Sequence, residues 1–122
     1  VSDTSLKANI PTLEVKLDNG ETVVMYKYLT TGEFREVQKM MLKGGNFNAE
    51  TGKMENLSPE IYMEAQDKTA GFLIKTINKE DEVKSYSQEW LSNLLIDDGN
   101  KIYDQVNKAI QSSQITPEVK KN

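Results

Sequence analysis

The segment Thr12-Leu13-Glu14-Val15-Lys16-Leu17, running into Asp18-Asn19-Gly20-Glu21, is the strongest constraint on the fold of this chain. Leu13, Val15 and Leu17 alternate with polar residues, the period of a strand buried on one face only. Asn-Gly then favours a tight reversal, because a type I′ turn needs positive φ at both central residues and these two residue types tolerate it best. A return strand is expected over residues 22–29. With a two-residue turn, Val15 faces Val24, Leu13 faces Tyr26 and Leu17 faces Thr22, which places the apolar residues of both strands on one surface. A one-residue bulge would pair Leu13 with Met25 and Val15 with Val23 instead.

A hairpin alone is marginal in water, so its apolar face needs a cover. The next residues supply helices. Thr30 is an N-cap, Glu33 lies in the first turn, and Phe34, Val37 and Met41 recur at i, i+3 and i+7 until Gly44-Gly45 ends the helix; Phe34 and Val37 are expected on the hairpin. Residues 43–57 turn to Gly, Asn, Lys and Glu around isolated Phe47 and Met54 and read as a mobile loop. Ser58-Pro59-Glu60 opens a second helix, expected to about Asn78, with Tyr62, Ala65, Thr69, Phe72 or Leu73, and Thr76 or Ile77 on its buried stripe. Gly71 inside it marks a close approach by another helix. Glu80-Asp81-Glu82 reads as a connector. Ser87 caps a short helix with Trp90, Leu91, Leu94 and Leu95, and Asp97 or Asp98 caps a last one from about Gly99 to Ser112. The expected fold class is α+β, an N-terminal antiparallel β-hairpin packed against three to four α-helices.

At 122 residues and 13.8 kDa the chain is one domain, expected over residues 12–112 with flexible tails at 1–11 and 113–122. Nineteen acidic against fifteen basic residues, with Arg35 the only arginine, is the wrong balance for neutralising phosphates, so no nucleic-acid partner is expected. Without His or Cys the chain lacks the usual imidazole base, thiolate nucleophile and soft metal ligands. No Ser or Thr is paired recognisably with a base, the carboxylates at 80–82 and 97–98 lack EF-hand spacing, and the loop glycines do not form a P-loop. The expectation is a non-enzymatic protein with no cofactor, metal or catalytic residues. No apolar run reaches membrane-spanning length and no export signal is recognisable, so no membrane association and a cytoplasmic setting are expected.

The candidate partner-binding residues are Met40, Met41, Phe47 and Trp90. Methionine is flexible and polarisable and repacks around varied apolar partners. Met40 and Met41 are adjacent on a helix, so both cannot face the core; one fills a core gap, and the other is either a singly exposed side chain or part of a docking groove. Trp90 is either a core residue or a partner anchor.

The hairpin ending near Tyr26-Lys27-Tyr28-Leu29, then Thr30-Thr31-Gly32-Glu33-Phe34-Arg35-Glu36-Val37-Gln38, and the close in Asp97-Asp98-Gly99-Asn100-Lys101-Ile102-Tyr103 together resemble the small tail assembly chaperones of long-tailed bacteriophages. The resemblance covers about residues 12–112. It implies a non-enzymatic protein of the bacterial host cytoplasm that binds the hydrophobic, helical tape measure protein during tail morphogenesis and assists recruitment of the tail tube protein. The family often makes a longer frameshifted product, and this chain has the length of the short one. The rival expectation is a small virion structural subunit, a connector or tail component, that self-associates into a ring.

Overall fold

The computed structural model describes residues 7–51, 53–55 and 58–113. The fold is α+β: a four-stranded antiparallel sheet begun by the N-terminal hairpin, with four helices. Strands β1 (Thr12–Lys16) and β2 (Thr22–Tyr26) lead into α1 (Thr31–Gly44), and a separate two-stranded hairpin, β3 (Asn46–Asn48) and β4 (Lys53–Glu55), leads on to α2 (Pro59–Leu73). Strands β5 (Ile74–Lys79) and β6 (Glu82–Lys84) follow, then α3 (Gln88–Ser92) and α4 (Ile96–Ser113). The main sheet has the order β1-β2-β5-β6.

The hairpin takes the bulged register, with Leu13 opposite Met25 and Val15 opposite Val23, and not the pairing of a two-residue turn. The backbone of the turn gives the reason. Only Gly20, at φ 95°, has positive φ there, so Asn19-Gly20 cannot form a type I′ turn. The Gly20 N–H donates to the Leu17 carbonyl at 3.3 Å and the Leu17 N–H to the Glu21 carbonyl at 2.8 Å, which closes a longer loop with glycine at the bulge. The slip sends Val23 and Met25, both fully buried, into the core.

Helix α2 is shorter than its sequence pattern. It ends at Leu73, and Thr76 and Ile77, expected on its stripe, belong to β5, which pairs with β2 around a bulge between Val24 and Met25. Ile74, Thr76 and Ile77 are β-branched, and the open edge of β2 offers them a ladder that a fifth helical turn could not match. Glu80-Asp81 is then a two-residue turn, Glu80 taking φ 54°, and the expected connector carries a strand.

The principal core joins Val23, Met25, Tyr26, Ile74 and Ile77 of the sheet to Ala70 and Leu73 of α2, Leu91 of α3 and Ile102, Val106, Ala109 and Ile110 of α4. Helix α1 forms a second cluster, Val37 and Met41 with Ala65 of α2, so Val37 packs on a helix and not on the hairpin as expected. Phe34 is only half-buried. The Gly71 neighbour is the Tyr86 ring, 3.4 Å from where a Cβ would sit, and not another helix.

Residues 7–11, expected as part of a flexible tail, are tied down. Lys7 Nζ donates to Glu33 Oε2 at 2.8 Å and to the Phe72 carbonyl at 2.9 Å, and lies 4.1 Å from the centre of the Tyr26 ring. The Pro11 carbonyl accepts from Lys27 N–H. Residues 1–6 and 114–122 of the expected tails lie outside the described residues, and α4 occupies position 113. Within 43–57, expected as a mobile loop, α1 reaches Gly44 and β3 and β4 pair as a short hairpin; residues 52, 56 and 57 lie outside the described residues.

Candidate partner-binding surface

Helices α1 and α2 run antiparallel. Glu33 at the start of α1 and the Phe72 carbonyl at the end of α2 share the Lys7 ammonium, while Met41 near the end of α1 clusters with Ala65 in the first half of α2. The β3–β4 hairpin therefore joins the two helices at the end opposite Lys7. Four of the five methionines, Met40, Met41, Met54 and Met63, fall between residues 40 and 63, in the chain that builds this end.

Local sequence accounts for the frame. The Thr30 hydroxyl accepts from Glu33 N–H and the Glu33 carboxylate accepts from Thr30 N–H, a complete capping box that fixes where α1 starts. Helix α2 starts on Pro59, whose missing N–H costs nothing in the first turn. It is held to α4 by polar contacts: Asn107 Oδ1 accepts from Tyr62 Oη at 3.1 Å and from Gln66 Nε2 at 2.9 Å, and Tyr103 Oη donates to Asp67 Oδ1 at 2.6 Å. Burial, then the hydrogen bond and charge of Asp67, push the Tyr103 phenol well above its ordinary range. The Tyr86 phenol is raised for the same two reasons, burial and the Asp67 charge. These tyrosines are donors that lock helices together, not bases.

The expected site residues separate into two groups. Met41 is buried in the α1–α2 cluster and Met40 is half-buried against it. Phe47 lies on β3 with Met54 opposite on β4, so Met40, Met41 and Phe47 belong to one end of the helix pair. Trp90 does not join them. It packs against the principal core, meets Tyr86 edge-to-face with ring centres 6.2 Å apart, and donates its indole N–H to Glu21 Oε1 at 3.0 Å. Its geometry is that of a core residue with a satisfied polar tip.

The exposed apolar side chains at the methionine-rich end are Leu42, 49% exposed, and Met63, 61% exposed. Both escape a search for buried stripes because each lies off its helix's stripe, and an apolar residue at an off-stripe position was the available signal. A second apolar point, Leu95 and Ile96, each 79% exposed, lies where α3 passes into α4.

The buried polar groups have structural tasks. Glu21, 4% exposed, accepts from Trp90 Nε1, from Asn19 Nδ2 at 2.8 Å and from Lys84 Nζ at 3.2 Å. Burial pushes its carboxyl up, but the hydrogen bonds from Trp90, Asn19 and Lys84 outweigh that and hold it below its ordinary value. Asp98, expected as a helix cap, lies inside the first turn of α4 and accepts from the backbone N–H groups of Asp18 and Asn19. The Thr69 hydroxyl donates to the Ala65 carbonyl. Among the described residues no buried side-chain polar atom lacks a partner, no acidic cluster converges to hold a metal ion, and no helix is long and apolar enough to cross a membrane.

Comparison of the chain with protein-family models, curated proteins and solved structures gives no match in any of the three.

Proposed function

We propose that this chain is a phage tail assembly chaperone, a non-enzymatic protein of the bacterial host cytoplasm that binds the hydrophobic helical tape measure protein and assists recruitment of the tail tube protein. One observation carries the reading beyond the sequence resemblance. Methionine is concentrated at one end of the α1–α2 pair, where Leu42 and Met63 are exposed beside half-buried Met40. Thioether side chains adapt to apolar partners of differing shape, as a protein holding a long, repetitive helix requires. The net charge of −4 keeps such a complex dispersed.

A second reading, a ring-forming connector or tail subunit, draws on the paired exposure of Leu95 and Ile96, which suits contact between copies. Light scattering on size-exclusion fractions separates the two. The chaperone reading expects a soluble complex when the chain is co-expressed with the tape measure protein from the same gene neighbourhood, lost when Leu42 and Met63 are both changed to Ser. Rings formed by the chain alone, with the tape measure protein left insoluble, would overturn it.

A further inference from the structure

The outward face of α2 has a chemical character that identifies the kind of helix it fits. Glu60, Met63, Glu64 and Asp67 recur at i, i+3, i+4 and i+7, the spacing of a single helix face. Buried stripes use this spacing, yet here Glu60, Met63 and Glu64 are exposed and Asp67 is half-buried. The stretch Pro59 to Asp67 contains three carboxylates and no Lys or Arg. Glu60 suits the positive end of the helix dipole, but that effect fades within the first turn and accounts for neither Glu64 nor Asp67.

The local cations do not neutralise this face. Among the described residues Glu60, Glu64 and Asp67 take part in none of the ion pairs, which use Lys7 with Glu33, Lys39 with Glu36, Lys84 with Glu21, and Lys101 with Asp18 and Asp98. Lys68, beside Asp67 in sequence, lies over the Phe72 ring instead. Lys108 is the exposed cation of α4 in this region, one turn beyond Asp104 and placed to offset that residue. An apolar anchor is left inside an uncompensated acidic rim, on a helix made rigid by its bonds to α4.

We propose that this face of α2 docks a basic amphipathic helix. The partner's apolar stripe covers Met63, and its Lys and Arg side chains reach Glu60, Glu64 and Asp67. Charge complementarity decides the occupant: a second copy of this acidic chain would bring like charges together, and an uncharged apolar helix would leave the rim unpaired. The inference rests on the chaperone reading in taking the tape measure protein as the source of the helix.

The test uses the full-length chain and fluorescent 25-residue peptides tiled along the tape measure protein, followed by anisotropy, with pull-down of the whole partner in parallel. The tightest peptides are expected to combine net positive charge with an apolar stripe of helical period, and to bind at least tenfold more weakly at 500 mM than at 50 mM salt. The double variant Glu60→Lys/Glu64→Lys should weaken binding at least tenfold, and Met63→Ser several-fold. Glu89→Lys/Asp97→Lys, which changes net charge equally at exposed positions on α3 and α4, should leave binding unchanged. Whole-partner capture with neutral or acidic peptides binding best and no salt dependence would overturn the inference and leave the chaperone reading standing. Failure to capture either peptides or whole partner would overturn both. The salt series on the unmodified chain decides the matter if the charge-reversed variant does not fold.

Discussion

Replacing Asp98 with Ala tests whether a carboxylate delivered by α4 sets the register of a hairpin eighty residues earlier in the chain. Asp98 is 2% exposed; Oδ1 accepts from Asp18 N–H at 2.7 Å and Oδ2 from Asn19 N–H at 3.3 Å. A hydrogen bond to an ionised acceptor contributes about 1.5–3 kcal/mol. The 3.3 Å contact belongs at or below the bottom of that range, and water can reach part of the exposed turn once the carboxylate is gone. The expected loss is about 2–4 kcal/mol. Asp97 is the control: it is exposed, occupies the same first turn and has the same dipole interaction, which amounts to about 0.3–1 kcal/mol. The difference between Asp98→Ala and Asp97→Ala therefore isolates the turn contact. Urea unfolding gives both values, and at this chain length about 3–5 °C of melting temperature accompanies each kcal/mol, so Asp98→Ala should fall by roughly 6–20 °C. Asp98→Asn keeps the shape but loses the charge and should lie between. Two alanine variants within about 0.5 kcal/mol of each other would refute the argument.

Three further outcomes follow from the same geometry. Glu21 has a folded-state carboxyl held below its ordinary value of 4.5, so its contribution is present above the unfolded value and is lost as pH falls below it and through the folded value. Urea midpoints between pH 3 and 7, followed by the fluorescence of Trp90, the only tryptophan, should fall at the acid end, and Glu21→Gln should flatten that part of the curve. Gly71→Ala adds a methyl group at ordinary contact distance from the Tyr86 ring and removes a helix-interior glycine, so stability should rise by about 0.5–1 kcal/mol in thermal melts. Lys7→Met removes two charge-assisted bonds from a largely buried ammonium and should cost about 1–3 kcal/mol, with hydrogen exchange accelerated most in the first turns of α1.

Features whose chemistry is complete within a few neighbouring residues were legible in the sequence. The Thr30 capping box, Pro59 at the start of α2 and the Ser87 cap, whose side chain accepts from Trp90 N–H, stand where local rules put them. The α+β class followed from the alternation in Leu13, Val15 and Leu17 set against the helical spacing of later segments. Part of the candidate surface was legible as well. Adjacent Met40 and Met41 pointed to the right end of the α1–α2 pair, although Met41 is buried and Trp90, too far along the chain to be placed by spacing, belongs to the other core.

Tertiary structure decided what depends on a distant partner. Asn19-Gly20 permits more than one turn, and the observed bulged turn is also held by Asp98 from α4. Ile74, Thr76 and Ile77 fit a helical stripe and a strand equally well, and the open edge of β2 made them β5. Whether Met63 is buried or exposed depends on where α4 crosses α2, which the Tyr62, Gln66 and Asp67 bonds to Asn107 and Tyr103 establish. Local propensity ranks conformations by fractions of a kcal/mol per residue, whereas burial of a side chain or desolvation of a carboxylate is worth several times that. Where the two agreed, the sequence was sufficient, and where they competed, the packing of the whole chain prevailed.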